Sequence, residues 1–442
     1  MIIDYSITNY RSIRDRQTLY LLAKRKKNDN QENKVFSYSK MKGFKSILSK
    51  GCAIYGHNAS GKSNLLRGFY FFSDFITDSQ RDIKPSNKIP VIPFLLDDES
   101  RKKDSEFEVN FIIDDIRYSY EIKLNSTRVT FESMKAYPNA IAQDWYTRIW
   151  NIEKNDYDWS SGDAQKYGFD EAKASKTREN VSFLSFANEE KNDVLKKIYD
   201  WFKSIAIFNG DLEEFSEIFT ASEAEQAGIN REKVLDFIKC ADIGIQNLKL
   251  NKKEFNVSEL PGFLSQDIKD KMISELTGKF RIESTFEHNG SNDKLYPIEF
   301  KDESEGTRKL YKLLGPIFNI LEEGGILFFD EIENSLHPLL LIEVLKLFFS
   351  DLHNPKGAQI IFTVHDTILL DVDLLNRDQI WFTEKDLSGA SKVYPLLEYS
   401  PRRMESLIRG YLSGRYGAIK NFDRRCFDKK IIEFNKNKTD VK

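Results

Sequence analysis

The sequence predicts an α/β fold built around a phosphate-binding loop, and three observations predict it. "GHNASGKS" at residues 56–63 sits between a short apolar strand and an amphipathic helix pattern. "ILFF" at 326–329 is an apolar strand that ends directly on Asp330 and Glu331. A second apolar strand, "AQIIFTV" at 358–364, follows one helix later and exits onto His365. Strands that alternate with helices in this way point to a mixed sheet flanked by helices.

The 442 residues are 40% hydrophobic, 13% aromatic and 31% charged, enough to bury one or two cores without disulfide staples. Net charge is −3 and the isoelectric point is near 6.1, so bulk basicity does not advertise nucleic acid or an anionic membrane. Cys52, Cys240 and Cys426 are far apart with no C-x-x-C spacing, which argues for a reducing cytosol and against a zinc site. The start, "MIIDYSITNYRSIRDRQ", lacks an apolar signal region, and no apolar run approaches the roughly 20 residues of a membrane span. The expectation is a cytoplasmic protein with no membrane partner.

Residues 1 to about 70 read as strand, loop, strand, loop, helix. "FEVNFII" and "YSYEIKL" alternate with period two around the turn-like Asp114-Asp115, which predicts a half-buried antiparallel sheet. The first half, residues 1–136, thus carries the loop and a strand-rich antiparallel subdomain. Residues 137–278 are charged, and "NDVLKKIYDWFKSIAIF" places Val194, Ile198, Trp201, Phe202 and Ile205 on one helical face. That segment is expected to be a mainly helical insertion used for dimer or partner contacts. Residues 279–400 return to strands and helices, with Leu310, Leu313, Leu314, Ile317, Ile320 and Leu321 at core spacing. Residues 401–442 hold twelve Lys and Arg against five Asp and Glu, a basic tail.

The residue types in 56–63 follow from the chemistry of phosphate. Glycines let the backbone curl so that successive N–H groups point at phosphate oxygens, and the helix that follows adds its dipole. Gly56, His57, Asn58, Ala59, Ser60, Gly61, Lys62, Ser63 and Asn64 are the expected ATP-binding residues. Lys62 would reach the β- and γ-phosphates, and the Ser63 hydroxyl would ligate Mg²⁺. Carboxylates at the end of a core strand are costly unless they hold something. Asp330 is assigned to the metal with Ser63, and Glu331 to orienting or deprotonating the attacking water. ATP and Mg²⁺ are the expected cofactors.

Two flanking pieces have plain readings of their own. "ESEGTRK" at 303–309 places Ser304 where a helix cap belongs, with Glu305 in the first turn. His365 stands where a strand leaves the sheet, a place where structural histidines also occur.

Their order decides between readings. Phosphate loop, long insertion, Ser-x-Gly before a helix, apolar-Asp-Glu, then strand-His resembles the ABC-type ATPases, including the structural-maintenance and Rad50-like branch. The resemblance implies an ABC-type ATPase head in which Ser304, Gly306 and Thr307 bind the γ-phosphate held by a second copy, giving two composite sites in a head-to-tail dimer. Lys62, Glu331 and His365 would be catalytic in one chain. "NYRSI" at 9–13, the strand-rich "FEVNF…YSYEIKL" and "DEIENSLHP" are similar to AAA-type ATPases of bacterial phage-defence operons: the overcoming-lysogenization-defect, abortive-infection L and PARIS types. Arg11 of "NYRSI" joins the expected ATP-binding set. "NRDQIWFTEKD" at 376–386 and "GYLSGRYGAI" at 410–419 resemble the Rlo and abortive-infection ATPases in particular. The likeness implies a sensor or scaffold ATPase acting on a separately encoded, TOPRIM-like nuclease effector in response to a phage-derived trigger.

Several features depart from that pattern or stand outside it. No glutamine lies near Pro93 to Leu95 for a γ-phosphate loop, and Gln80 is too close to the helix that follows the phosphate loop. The signature reads Glu-Ser-Glu-Gly-Thr and the D-loop "NSLHP", so slow turnover suited to a switch is expected. Asp371 and Asp373 imitate an acidic metal pair but read as loop acids after the last strand. The tail's Arg402, Arg403, Arg409, Arg415, Arg424 and Arg425 suit either a solvated face or phosphate contacts. Tyr411, Tyr416 and Phe422 suit either base stacking or a core. A DNA-binding repair ATPase resembling RecF or Rad50, and a nucleotide-stabilised scaffold, are the alternative functions.

Overall fold

The structure, a computed structural model, describes residues 1–23, 35–37, 47–162, 174–189, 193–209, 220–221, 224, 228–241, 244–254, 280–291, 294–334, 336–370, 372–402 and 405–418. The chain opens with β1 (Ile2–Thr8), β2 (Gln17–Tyr20), β3 (Leu22–Ala23), β4 (Val35–Ser37), β5 (Ile47–Ser49), β6 (Gly51–Tyr55) and helix α1 (Lys62–Asp82). Five strands follow: β7 (Ser105–Ile113), β8 (Ile116–Leu124), β9 (Val129–Tyr137), β10 (Gln143–Asn151) and β11 (Asp156–Ser160). With β1 and β2 they make a seven-stranded antiparallel sheet in the order β11-β10-β9-β8-β7-β1-β2. Ile113 pairs with Ile116, and Asp114 and Asp115 take φ of 49° and 60°, the two-residue hairpin turn that matches strand twist.

The next elements are α2 (Phe183–Glu189), α3 (Asp193–Lys203), β12 (Ala206–Asn209), α4 (Gly228–Ala241), β13 (Ile245–Glu254), β14 (Phe280–Asn289) and β15 (Leu295–Glu299). Then come α5 (Glu305–Glu323), β16 (Ile326–Asp330), α6 (Pro338–Phe348), β17 (Gln359–Thr363), β18 (Ile380–Lys385), β19 (Ser391–Pro395) and α7 (Leu407–Leu412). The central sheet runs β12-β16-β17-β6-β18-β19; its first five strands are parallel and β19 closes the edge antiparallel. The fold is α/β with a mixed sheet, as the sequence predicts. Two three-stranded sheets, β13-β14-β15 and β3-β5-β4, complete the strands described.

The stretch 137–278, expected to be mainly helical, holds strands beside the helices α2, α3 and α4 among the described residues. β10 and β11 extend the antiparallel sheet, β12 is an edge strand of the central sheet, and β13 pairs with β14. The reason is local: β11, β12 and β13 are edge strands of their sheets and β10 is half-polar, so their alternation is weak beside the strong helical period of α3. Residues 163–173, 210–219 and 255–279 of this stretch lie outside the described residues.

Alternate residues of β16 serve two cores. Ile326 and Phe328 face the cluster around α1, while Leu327 and Phe329 join the cluster of α5 and α6. α1 is clasped between the two large sheets: Phe69 stacks on Phe328 at 4.1 Å and meets Tyr5 edge-on at 4.9 Å. Phe72 stacks on Phe107 at 5.6 Å. Gly68 permits this approach, because a Cβ there would lie 2.2 Å from Ile7 Cδ1. In α5, Pro316 cannot donate to the Lys312 carbonyl; the Thr220 hydroxyl donates to it instead at 3.3 Å.

One buried ion pair ties the antiparallel sheet to the segment before α2. Glu132 and Arg148 are both fully buried. The Glu132 carboxylate accepts from Tyr120 at 2.8 Å, Tyr146 at 3.1 Å and the Phe183 N–H. Arg148 donates to the Val181 and Arg178 carbonyls at 3.0 and 2.9 Å. Breaking a buried pair strands the other charge, so E132A should lower stability by about 3–5 kcal/mol in urea unfolding. A loss below about 1 kcal/mol would show that the pair contributes little.

Candidate active site

The loop 56–61 leaves the fully buried β6 and turns into α1. Gly61, the residue preceding α1, has φ 116°, and a Cβ there would lie 2.2 Å from Ser391 Oγ, so only glycine fits. Four hydroxyl contacts clamp the loop and the start of α1 from outside. Ser60 Oγ lies 2.6 Å from Thr383 Oγ1 in β18. Ser391 Oγ in β19 lies 2.8 Å from both the Ser60 carbonyl and Ser12 Oγ. Asn64 donates to Ser12 Oγ at 2.8 Å. The β1–β2 turn, the loop and the β18–β19 hairpin are thus one assembly. The His57 N–H donates to the Ala418 carbonyl at 2.9 Å, bringing the segment after α7 onto the same loop.

Lys62 is only 4% exposed. Its Nζ donates to the Gly56 carbonyl at 2.7 Å, the His57 carbonyl at 3.3 Å and His365 Nδ1 at 3.3 Å. Burial pulls its pKa down to about 8, against the opposing charges of Glu333, Asp330 and Glu331.

At the end of β16 the carboxylates are held by the next strand. Phe329 pairs with Phe362, which sets Thr363 beside Asp330. The Thr363 hydroxyl donates to Asp330 Oδ1 at 2.6 Å and accepts the Glu331 N–H at 2.7 Å. Ser63 donates to the same Asp330 oxygen at 3.1 Å. Glu331 has φ 53°, a left-handed conformation that costs a non-glycine residue. There its carboxylate accepts from Asn334 at 2.7 Å and stands 3.8 Å from His365 Nε2. With Lys62 donating to Nδ1, a neutral His365 carries its proton on Nε2, towards Glu331. Burial and then Lys62 lower the His365 pKa. Glu333 Oε1 accepts the His365 N–H at 2.6 Å, and burial raises the Glu333 carboxyl.

The structure therefore brings together Gly56 to Ser63, Asn64, Asp330, Glu331 and His365. Other expected site residues are placed differently. Arg11 has φ 51° and donates through Nε to the Tyr10 hydroxyl at 3.2 Å; its neighbour Ser12 makes the contact to the loop. Ser304 caps α5 by accepting the Thr307 N–H at 3.1 Å. Ser304 and Gly306 are exposed, and their helix meets the site through Lys309, which donates to the Asn334 carbonyl at 2.9 Å. Tyr411 and Tyr416 stack on Phe382 at 5.7 and 5.6 Å in the core, so neither is a platform for bases. Arg415 pairs with Glu405. Asp373 is exposed in a loop. Asp371, Arg403, Phe422, Arg424 and Arg425 lie outside the described residues.

Sequence reading gave no role to Thr363, Ser12, Thr383, Ser391 and Ala418, and left that of Glu333, one of the acids of "DEIEN", open towards a partner chain. Of the five, only Thr363 carried a signal, as the polar end of an apolar strand next to the one that bears the acids. Ser63 and Asp330 offer adjacent hard oxygen donors, the chemistry that Mg²⁺ takes beside a phosphate. Among the described residues no group of three or more His, Cys, Asp and Glu could hold a metal ion by itself.

The family described as "AAA domain, putative AbiEii toxin, Type IV TA system" matches residues 52–371. Comparison with curated proteins found no match. Among solved structures, an Smc head bound to the C-winged-helix domain of ScpA has 15% identity, covers 93% of this chain and 99% of that chain, with TM-score 0.43. The SMC head domain from Thermotoga maritima has 13% identity, covers 89% and 98%, with TM-score 0.40. The recombination mediator protein RecF with ATP has 15% identity, covers 89% and 99%, with TM-score 0.34. Among the described residues, no helix is long and apolar enough to cross a membrane.

A phosphate held by Lys62 would bind in a pH-dependent way, because burial lowers the lysine's pKa to about 8. Below about 8 the ammonium is charged in the free protein; above it, binding a triphosphate must first take up a proton. Affinity for a fluorescent ATP analogue should weaken as pH rises through about 8, and K62R, charged throughout, should remove that dependence. A flat profile in the wild type would contradict the assignment.

Proposed function

The chain belongs to this AAA-domain family, and from that premise we propose that it is a Mg²⁺-dependent ATPase that dimerises head-to-tail around ATP. The observation that carries the reading is the convergence of Lys62, Ser63, Asp330, Glu331 and His365 at the ends of three parallel strands, through contacts of 3.1 to 3.8 Å and with Thr363 joining the two acids. Phosphoryl transfer asks a protein for positioning and electrostatics more than for covalent chemistry, and this is what these residues offer. Backbone N–H groups of the loop and the Lys62 ammonium receive the phosphates. Ser63 and Asp330 would hold Mg²⁺, which supplies charge neutralisation on the phosphate oxygens when bound. Glu331 aims or deprotonates the attacking water. Neutral His365 presents an N–H on the same side. Ser304, Gly306 and Thr307, exposed at the start of α5 or close beneath it, are offered to the nucleotide of a second copy.

The wider role is proposed from the likeness of "NYRSI" and "DEIENSLHP" to phage-defence ATPases; the family description, "putative AbiEii toxin, Type IV TA system", is in keeping with it. In this reading the ATPase is the sensor or scaffold of an antiphage system in the cytoplasm. It holds or releases a separate nuclease-type effector when a phage-derived trigger is present. The basic tail is available for nucleic acid or an acidic partner.

Replacing Glu331 by Gln keeps its shape and removes the base. Turnover in E331Q should fall by about 10² or more, and the variant should run as a dimer with ATP by light scattering while the nucleotide-free form does not. Wild-type turnover in E331Q, or a monomer at saturating ATP, would overturn the proposal.

A further inference from the structure

We propose that Glu333 is the positioning residue that sets His365 against Lys62 and Glu331, an inference that rests on the hydrolase reading of the same site. Glu333 lies in the short turn Ile332–Asn334 just beyond β16, and His365 lies beyond the end of β17. Past the sheet, backbone pairing no longer aligns these two segments. The Glu333 carboxylate supplies the missing link: Oε1 accepts the His365 N–H at 2.6 Å. This contact grips the main chain, so it places the ring without competing for either ring nitrogen. Those nitrogens stay directed at the reaction side, Nδ1 at 3.3 Å from Lys62 Nζ and Nε2 at 3.8 Å from Glu331 Oε1.

A second observation marks Glu333 as more than a turn residue. Its other oxygen, Oε2, is buried and has no hydrogen-bond partner. A buried acceptor left unmade costs about 1–3 kcal/mol, more when charged. Burial raises the Glu333 pKa, and the nearby Lys62 charge works against that rise. Glu333 touches neither substrate nor water in this role; it acts through His365.

The test combines turnover with a readout that needs none. In E333A, kcat should drop about tenfold or more with KM for ATP within about twofold, the mark of an interaction used after binding. E333Q keeps an acceptor for the His365 N–H and should recover kcat to within about threefold of wild type, whereas E333D, one methylene short, should resemble E333A. Because Glu333 acts through His365, E333A/H365A should be no slower than H365A alone. In nucleotide-free protein, modification of His365 by diethyl pyrocarbonate, read by peptide mass spectrometry, should be several-fold faster in E333A and E333D than in wild type and E333Q. Unchanged kcat and modification rate in E333A, equal damage in E333Q and E333A, or additive effects with H365A would each overturn the inference. Wild-type turnover separately decides the hydrolase reading, and the modification rates decide this inference even if that turnover is absent.

Discussion

The Thr363 hydroxyl is the constraint on which the site depends. It donates to Asp330 and accepts from the Glu331 N–H, so one small side chain fixes where both carboxylates begin. It can do so only because β16 and β17 are parallel neighbours in a register that puts residues 330 and 363 side by side. A one-residue slip would turn Thr363 to the other face. The strained backbone at Glu331 is then explicable. The bond to Thr363 holds the residue where its side chain reaches Asn334 and approaches His365, and the buried strand behind it supplies the support.

That support comes from aromatic packing on both sides of α1. Phe69 and Phe72 bridge Phe328 of the central sheet and Phe107 of the antiparallel sheet. The two sheets thus grip the helix that begins with Lys62. At its other end the antiparallel sheet is closed by the Glu132–Arg148 pair and its carbonyl partners. The hydroxyl clamp of Ser12, Ser60, Thr383 and Ser391 then joins both sheets to the phosphate loop itself. These contacts hold the loop in one conformation, with the His57 N–H on the Ala418 carbonyl and the Ser60 N–H on the His57 carbonyl.

Much of this was legible in the residues alone. The loop, the acid-ending strand and the strand-His each declare themselves by local pattern, since phosphate and metal chemistry fix the residue types at fixed spacing. The central sheet and the Asp114-Asp115 hairpin follow from period and turn chemistry for the same reason. What was not legible depends on distant contacts. Ser12, Thr383 and Ser391 are ordinary hydroxyl residues until the fold carries them to Gly61. Arg11 reads as a ligand from its neighbours, yet the turn directs its guanidinium to Tyr10. The strands β10, β11 and β12 were obscured because their patterns are half-polar, β11 and β12 being sheet edges, and the strong helical period of α3 dominated their surroundings. Tyr411 and Tyr416 looked ambiguous because aromatic residues serve a core and a base-stacking face equally well; Phe382 decides for the core.

The role proposed for Asp330 at the end of β16 is to hold a divalent cation beside the phosphate loop. Calorimetric titration of ATP into the wild-type chain and into D330N, each with and without Mg²⁺, tests that role. Mg²⁺ should strengthen wild-type binding by about tenfold or more and leave D330N unchanged, since removing one charged ligand removes the ion's anchor. Equal affinity with and without Mg²⁺ in the wild type, or an undiminished Mg²⁺ effect in D330N, would contradict it.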